Sequence, residues 1–570
     1  MAPLRPKRSS SPQRAVTSRK EHHVNTLLTD PRSVTEELDV LVVGGGFAGV
    51  YQLEHLRSRG FAVKLYEAGS EAGGVWHWNQ YPGARVDTPA TAYQLSDERI
   101  WSEWNWSEVY PGQEEIQEYF RFVIDNLDLA KDMRCDSRVV AAQFDDNKDK
   151  WIIETRDEKT GETFLTRARF LLPMLGTGSK ALYPNIPGLD DFKGDSFHTS
   201  HWPKGYDMTG KRVAVIGTGA SGVQVIQTIA PDVGQMTVFQ RTPPTALPMS
   251  SPKLDRAAND EFRKTYPERF KYRETTFSGI DYDVIYTATA EISDEEFYAK
   301  LDELWDMGGL QIWLGGYADM FFNREVGDKI YAYWRERTLP RVKDPKLAEK
   351  LIPETPPYPF GTKRCPLEYT YYDTFNQDNV DLVDAKENPI EKVTENGIVT
   401  ADGTLHKFDV IVLATGFDSF TGGLTDIDIR STKGERYSDV FKNGVRTFLG
   451  RATAGFPNIL YVYGPHSPSA FCNGPTCAEL EGDWVINAIT DMRDNNLTRI
   501  EATREAEDEW HEHLEGLANA TTFIMANSWY MNANVPGQKK ELLAYPGGLS
   551  MYLEKCRESV ENGYAGFVLS

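Results

Sequence analysis

Two glycine-rich turns of the same kind constrain the fold more than any other feature of this chain. The first is Gly44-Gly45-Gly46-Phe47-Ala48-Gly49, preceded by the apolar run Leu38-Asp39-Val40-Leu41-Val42-Val43. The second is Gly217-Thr218-Gly219-Ala220-Ser221-Gly222, preceded by Val213-Ala214-Val215-Ile216. Short apolar runs of this kind read as buried parallel strands. Behind the first turn, Ala48, Leu53, Leu56 and Gly60 suit a helix closed by glycine. New strand-like runs follow at Phe61 to Tyr66 and at Met236 to Phe239. A lone G-x-G-x-x-G is weak evidence, but a complete strand–turn–helix–strand unit is specific, and here it occurs twice. Glycines let the backbone approach a pyrophosphate, and the helix N-terminus supplies N–H donors and positive potential. The fold class expected is α/β, with two Rossmann-like dinucleotide-binding domains.

The residues closing the two units differ in charge. The second strand of the first unit ends at Glu67, roughly 20 residues beyond the glycines. That of the second unit ends at Gln240-Arg241-Thr242. An acid there accepts hydrogen bonds from ribose hydroxyls, whereas an arginine accommodates a 2′-phosphate. Two different nucleotides are implied, FAD on Gly44, Gly46, Gly49 and Glu67, and NADPH on Thr218, Gly219, Ala220, Ser221, Gly222, Arg241 and Thr242. A chain holding both is set up to pass electrons between them.

At 570 residues the length suggests about three or four domains. The boundaries expected are a disordered basic tail over 1–35, a first FAD segment over 36–173 and a first NADPH segment over 174–242. A helical insertion is expected over 243–357, where Ser293-Asp294-Glu295-Glu296 makes a capping box ahead of Phe297, Leu301, Leu304 and Trp305. The NADPH domain should resume over 358–412 and the FAD domain over 413–570. A net charge of −22 argues against nucleic acid or an acidic membrane surface as partner. No apolar run approaches the ~18 residues of a spanning helix. The five cysteines, Cys135, Cys365, Cys472, Cys477 and Cys556, contain no C-x-x-C pair. This argues against a metal site and a disulfide framework, and fits a reducing cytoplasm. The Arg- and Ser-rich start could be a targeting peptide, but Pro3, Pro6 and Pro12 interrupt any helix there and favour a tail.

Three further stretches resemble one family. Phe192-Lys193-Gly194-Asp195-Ser196-Phe197-His198-Thr199-Ser200-His201-Trp202-Pro203 matches the F-x-G-x-x-x-H-x-x-x-W-P signature of Baeyer–Villiger monooxygenases. Gly73-Gly74-Val75-Trp76, Tyr81-Pro82-Gly83 and Asp87 match a second signature of that family. The resemblance runs from Glu36 to Ser570, and is nearest to the phenylacetone, steroid and large-ring cycloalkanone members. It implies an FAD enzyme using NADPH and O₂ to turn ketones into esters or lactones through a C4a-peroxyflavin. A fixed positive charge at the flavin is then needed. Arg364, in Tyr358-Pro359-Phe360-Gly361-Thr362-Lys363-Arg364, matches the catalytic arginine, and Asp87 the acid that orients it. The resemblance further implies FAD contacts at Val75, Trp76, Asp87, Tyr93 and Val140. It implies NADP contacts at Gln224, Lys363, Arg364 and Trp529. Ser469, Ala470, Phe471 and Gly474 correspond to the substrate loop. Gly474 stands where some relatives carry a bulky side chain, which implies a roomy site for bulky, long-chain or cyclic ketones. Asn532 stands where many relatives have glycine, which puts the local backbone in question.

Other classes remain open at this stage. A flavin monooxygenase oxidising amines or sulfides shares both nucleotide folds, but typically lacks the Trp-Pro ending and an arginine at 364. A disulfide reductase needs a redox cysteine pair beside the flavin, and no suitably spaced pair lies near the first domain. A nucleotide-sensing protein without catalysis is a third reading. His198 and Trp202 are expected to be structural rather than catalytic. A cytoplasmic monomer or weak homo-oligomer is expected.

Overall fold

The computed structural model describes residues 27–570. Strand β1 (Val34–Val43) leads into helix α1 (Phe47–Ser58) and strand β2 (Val63–Tyr66). The two strands pair in parallel, Val40 opposite Val63 and Val43 opposite Tyr66. Gly44 makes this turn possible with φ +105°, and a Cβ there would lie 2.6 Å from the Met174 carbonyl oxygen. Gly49 sits so close beneath it that a Cβ would lie 1.8 Å from the Gly44 carbonyl oxygen. The turn and helix therefore nest only without side chains at these two positions.

Strands β3 (Met133–Arg134), β4 (Ser137–Asp145), β5 (Lys150–Asp157) and β6 (Thr163–Pro173) complete this half. The meander β4–β5–β6 is antiparallel, and β6 then joins β1 in parallel. Its β5–β6 turn falls over 158–162, where Lys159-Thr160-Gly161 punctuates the sequence. Segment 1–26 of the expected tail lies outside the described residues. Its continuation is not all tail, because β1 begins at Val34 and Arg32 bonds to Asp30 and Glu154.

The second nucleotide unit repeats the first. Strands β7 (Asp195–His198) and β8 (Arg212–Ile216), helix α2 (Ala220–Ile229) and strand β9 (Gln235–Gln240) are joined by β10 (Val380–Asp384) and β11 (Val410–Leu413). The sheet is parallel throughout, in the order β10-β9-β8-β11-β7. Gly217 takes φ +106°, and a Cβ would lie 2.4 Å from the Ala414 carbonyl oxygen. Thus β11 and the following Ala414-Thr415-Gly416 pack directly beneath the second turn. Strand β12 (Asp428–Arg430) returns to the first sheet, whose order is β12-β4-β5-β6-β1-β2-β3.

Between the sheets' strands lies a helical stretch holding α3 (Arg256–Tyr272), α4 (Asp294–Met307) and α5 (Arg324–Thr338). Helix α4 starts at the Ser293–Glu296 capping box, and Phe297, Leu301 and Leu304 are its buried face. Trp305 packs at the margin, edge-on to Tyr333 of α5. Helix α6 (Gly474–Asp494) then crosses α1.

The glycines of the second turn are separable by experiment. At Gly222 a Cβ would lie 2.3 Å from the Gly217 carbonyl oxygen, whereas at Gly219 it would meet nothing within 4 Å. Overpacking of the first kind costs roughly 1–3 kcal/mol. Gly222→Ala is expected to lower the melting temperature, and Gly219→Ala to leave it unchanged while weakening nucleotide binding. Equal melting shifts in calorimetry would contradict this.

Candidate active site

The two halves meet at an ion pair. Asp87 follows the Tyr81-Pro82-Gly83 turn of the first half. Arg364 lies in the chain that re-enters the second half from the helical stretch. Arg364 donates from Nε and Nη2 to the two Asp87 carboxylate oxygens, 2.6 Å each. Such bidentate, charge-assisted bonds are the strong ones and fix the plane of the guanidinium. Nη1 points instead to the Ala470 carbonyl oxygen, 3.5 Å away. Burial opposes the charge of Arg364, but the adjacent Asp87 carboxylate outweighs it and holds the pKa above arginine's ordinary range.

Local packing sets where Arg364 stands. Gly361 turns with φ +77° and its carbonyl accepts from Trp313 Nε1 at 3.0 Å. The Trp313 ring also lies under the guanidinium, 5.8 Å from its centre. The Tyr358 hydroxyl closes the other end, accepting from the Thr245 N–H and donating to the Pro243 carbonyl. On the facing half, Gly83 takes φ +80° where a Cβ would run into Thr228 and the Gln224 carbonyl. The Tyr81 hydroxyl donates to Gln224 Oε1 at 2.8 Å, and Gln224 Nε2 donates to the Arg85 carbonyl at 3.0 Å. Both ends of the Gln224 amide are thus spent on holding the Asp87 turn against α2.

On the second turn, the Thr218 hydroxyl donates to the Thr242 carbonyl at 3.0 Å, tying the glycines to the end of β9. Gly219 caps α2, followed by Ala220, Ser221 and Gly222. Arg241 is exposed, and Lys363 stands close enough to feel its charge. Burial first, then the Arg241 cation, lower the Lys363 pKa to about 8. Two cations held together beside an open glycine turn fit a nucleotide phosphate.

On the first turn, Glu67 accepts from the Gly45 and Gly69 N–H groups, 2.6 Å each, so its carboxylate is locked against the glycines. Gly46 faces Gly74, whose Cβ would lie 2.9 Å from the Gly46 Cα. Trp76 Nε1 donates to the Tyr93 hydroxyl at 3.0 Å. Val75, which follows Gly73 and Gly74, is 40 % exposed. Val140 lies in β4 at the register shift between Val139 and Ala141. These groups suit a second dinucleotide.

The loop carrying Ser469, Ala470 and Phe471 is buried beside Arg364. At Gly474 a Cβ would meet only Tyr93, at 4.0 Å. Trp529 stacks on Phe420, ring centres 5.3 Å apart. Asn532 takes φ +54°, a left-handed conformation that asparagine tolerates better than most residues, so the loop keeps its glycine-like turn. His198 is fully buried. Its Nδ1 accepts from the Ser200 N–H, so Nε2 carries the proton and donates to the Gly416 carbonyl at 3.0 Å. Burial lowers its pKa to about 4, keeping it neutral. Trp202 packs edge-on to Phe197.

The cysteine reading needs correction. Cys472 and Cys477 form a disulfide, with Cα atoms 6.4 Å apart. A C-x₄-C spacing carries no signal in sequence. The 468–474 loop turns into α6 between the two residues and brings their sulfurs together. One cystine therefore exists, contrary to the expectation that the cysteines stay reduced. Sequence reasoning also passed over Trp313, Tyr463 and Tyr530. Tyr463 takes φ +61° and donates its hydroxyl to the Cys472 carbonyl at 3.0 Å.

Two dinucleotide-turn halves meeting at a half-buried arginine–aspartate pair define a two-nucleotide flavoprotein oxidoreductase. Residues 38–266 match the family described as "Pyridine nucleotide-disulphide oxidoreductase". The chain is 47 % identical to the cyclopentanone 1,2-monooxygenase of Comamonas sp. (strain NCIMB 9872), over 94 % of this chain and 97 % of that protein. It is 33 % identical to a Baeyer-Villiger monooxygenase of Pseudooceanicola batsensis, over 96 % and 98 %. The crystal structure of OTEMO complexed with FAD and NADP superposes with a TM-score of 0.88, at 38 % identity, covering 94 % of this chain and 99 % of that one. The chain belongs to the Baeyer–Villiger monooxygenases, and its cofactors are FAD and NADP(H). Among the described residues no helix is long and apolar enough to cross a membrane, and no cluster could hold a metal ion.

The disulfide is open to direct count. Denatured, unreduced protein should titrate three thiols, Cys135, Cys365 and Cys556, out of five cysteines. A count of five in freshly isolated protein would contradict the pairing.

Proposed function

We propose that Arg364 and Asp87 are the catalytic pair of a ketone-oxidising site yielding esters or lactones. The observation that carries this reading is the bidentate pair itself, bridging the two nucleotide halves beside the 468–474 loop. FAD and NADPH, when bound, supply the reducing equivalents and the centre that activates O₂. Gly44, Gly46, Gly49, Glu67, Val75, Trp76, Tyr93, Val140 and Asp87 would hold FAD. Thr218, Gly219, Ala220, Ser221, Gly222, Thr242 and Trp529 would hold NADP, with Arg241 and Lys363 on its 2′-phosphate. Gln224 supports this site by fixing Tyr81.

Arg364 keeps its charge at any working pH. Asp87 holds two of its nitrogens, which leaves Nη1 as the donor facing the loop. An oxyanion forming on an attacked carbonyl carbon would be stabilised there without reorganisation. The buried loop of Ser469, Ala470 and Phe471 supplies the dry wall that strengthens such a contact. The open space at Gly474 favours cyclic or bulky ketones, in line with the cyclopentanone monooxygenase among its relatives. A monomer or weak homo-oligomer in the cytoplasm completes the reading, with the 472–477 disulfide the one feature favouring a more oxidising compartment.

Arg364→Ala should retain FAD and its reduction by NADPH, yet lose ester formation by at least about a hundredfold. Wild-type ester yield measured by gas chromatography would sink the assignment. A second outcome concerns pH. Lys363 is protonated below about 8 and neutral above it, facing Arg241 and the Tyr358 ring. The KM for NADPH should therefore climb as pH passes about 8, because binding must then restore a proton. The KM for NADH should not, and Lys363→Arg should flatten the NADPH curve. An unaltered curve in that variant would assign the titration elsewhere.

A further inference from the structure

Tyr530 lies next to Trp529 in sequence, and the two rings touch edge-on with centres 4.4 Å apart. Trp529 is partly exposed and stacks on Phe420, whereas Tyr530 is fully buried. Both sit in the short turn Trp529–Met531, which ends at the left-handed Asn532. The Tyr530 ring packs on Phe471 of the substrate loop, ring centres 5.2 Å apart, and edge-on to Phe523 at 5.9 Å. Its backbone is pinned by the Leu543 N–H, which donates to the Tyr530 carbonyl at 2.8 Å. The ring is therefore held from both sides.

Its hydroxyl has no hydrogen-bond partner among the described residues. A buried hydroxyl left unsatisfied carries its full desolvation penalty. Proteins retain such a group where a ligand completes it. This hydroxyl stands within the electrostatic field of Arg364, Asp87 and Tyr463, at the wall where Arg364 Nη1 faces the loop. Burial keeps the phenol's pKa above its ordinary value, with Cys365, Asp87 and Tyr463 adding to it and the Arg364 cation opposing, so it remains a donor at working pH.

We propose that the Tyr530 hydroxyl is a second hydrogen-bond donor to the ketone carbonyl oxygen, converging on it with Arg364. The proposal rests on the reading of Arg364 as the catalytic cation. The bond is modest to the neutral carbonyl and strengthens as that oxygen gains charge on attack. Two preorganised donors, one cationic and one neutral, then share the developing charge. No proton is transferred. The phenol donates in both states, and the pair would also fix which face of the ketone is presented.

Tyr530→Phe in the FAD-loaded, full-length enzyme isolates the hydroxyl, because both ring contacts are kept. The probes are cyclopentanone, cyclohexanone and phenylacetone, with ester, hydrogen peroxide and NADPH consumption counted together. The expected result is a fall in kcat/KM for the ketones of about a hundredfold, the loss seen when one oxyanion donor is removed. The hydrogen peroxide released per NADPH should rise. The KM for NADPH and NADPH oxidation without ketone should stay at wild-type values, which a structural role would not ensure. The melting temperature should equal or exceed the wild type, since no protein hydrogen bond is lost. A lowered melting temperature would mean that the hydroxyl has a partner within the protein, and would overturn the proposal. Wild-type ketone turnover in the variant would overturn it as well, leaving Arg364 untouched. A wild-type enzyme that oxidises none of the three ketones would overturn the reading of Arg364 and this proposal together.

Discussion

The structure depends on one interaction, the paired bonds from Arg364 to Asp87. Each partner alone would be a charge held at a partly dry interface, which is costly. Together they satisfy each other in a fork geometry that only arginine offers. Their chain positions are 277 residues apart, so the pair exists only when both nucleotide halves are folded and docked. Around it, Trp313 and Tyr358 fix the arginine side, while Gly83, Tyr81 and Gln224 fix the aspartate side. The site is thus assembled by the same contacts that hold the halves together.

The two glycine turns solve one steric problem twice. In each, the first glycine presses against the carbonyl of a distant strand end, Met174 in one case and Ala414 in the other. The last glycine presses against the first. Those close approaches bring the ends of β6 and β11 beneath the turns.

What the sequence discloses is what is encoded locally. The glycine spacing, the apolar strands, Glu67, Arg241 and the Ser293 capping box are each set by a handful of neighbouring residues, and each can be read without tertiary knowledge. Arg364 is different. It is one arginine among many until the resemblance of its surroundings singles it out, because its importance comes from Asp87 across the interface. The Cys472–Cys477 disulfide was misread for a related reason. Pairing depends on how the 468–474 loop turns into α6, and no spacing rule captures that turn. Tyr530 and Trp313 carry no local signal, because an aromatic residue in a short helical turn reads as packing until its hydroxyl is found without a partner or its ring under a guanidinium. Asn532 shows the reverse: a departure from glycine that seemed to threaten the loop is absorbed by a residue able to adopt the same left-handed backbone.

The central claim is that Asp87 and Arg364 act as one unit. A double-mutant cycle tests it most directly, with Asp87→Ala, Arg364→Ala and the double variant compared by kcat/KM for ketone oxidation. Residues that act as a unit give strongly non-additive losses. The account predicts a double variant no worse than the poorer single variant. A double variant whose loss equals the product of the two single losses would contradict it.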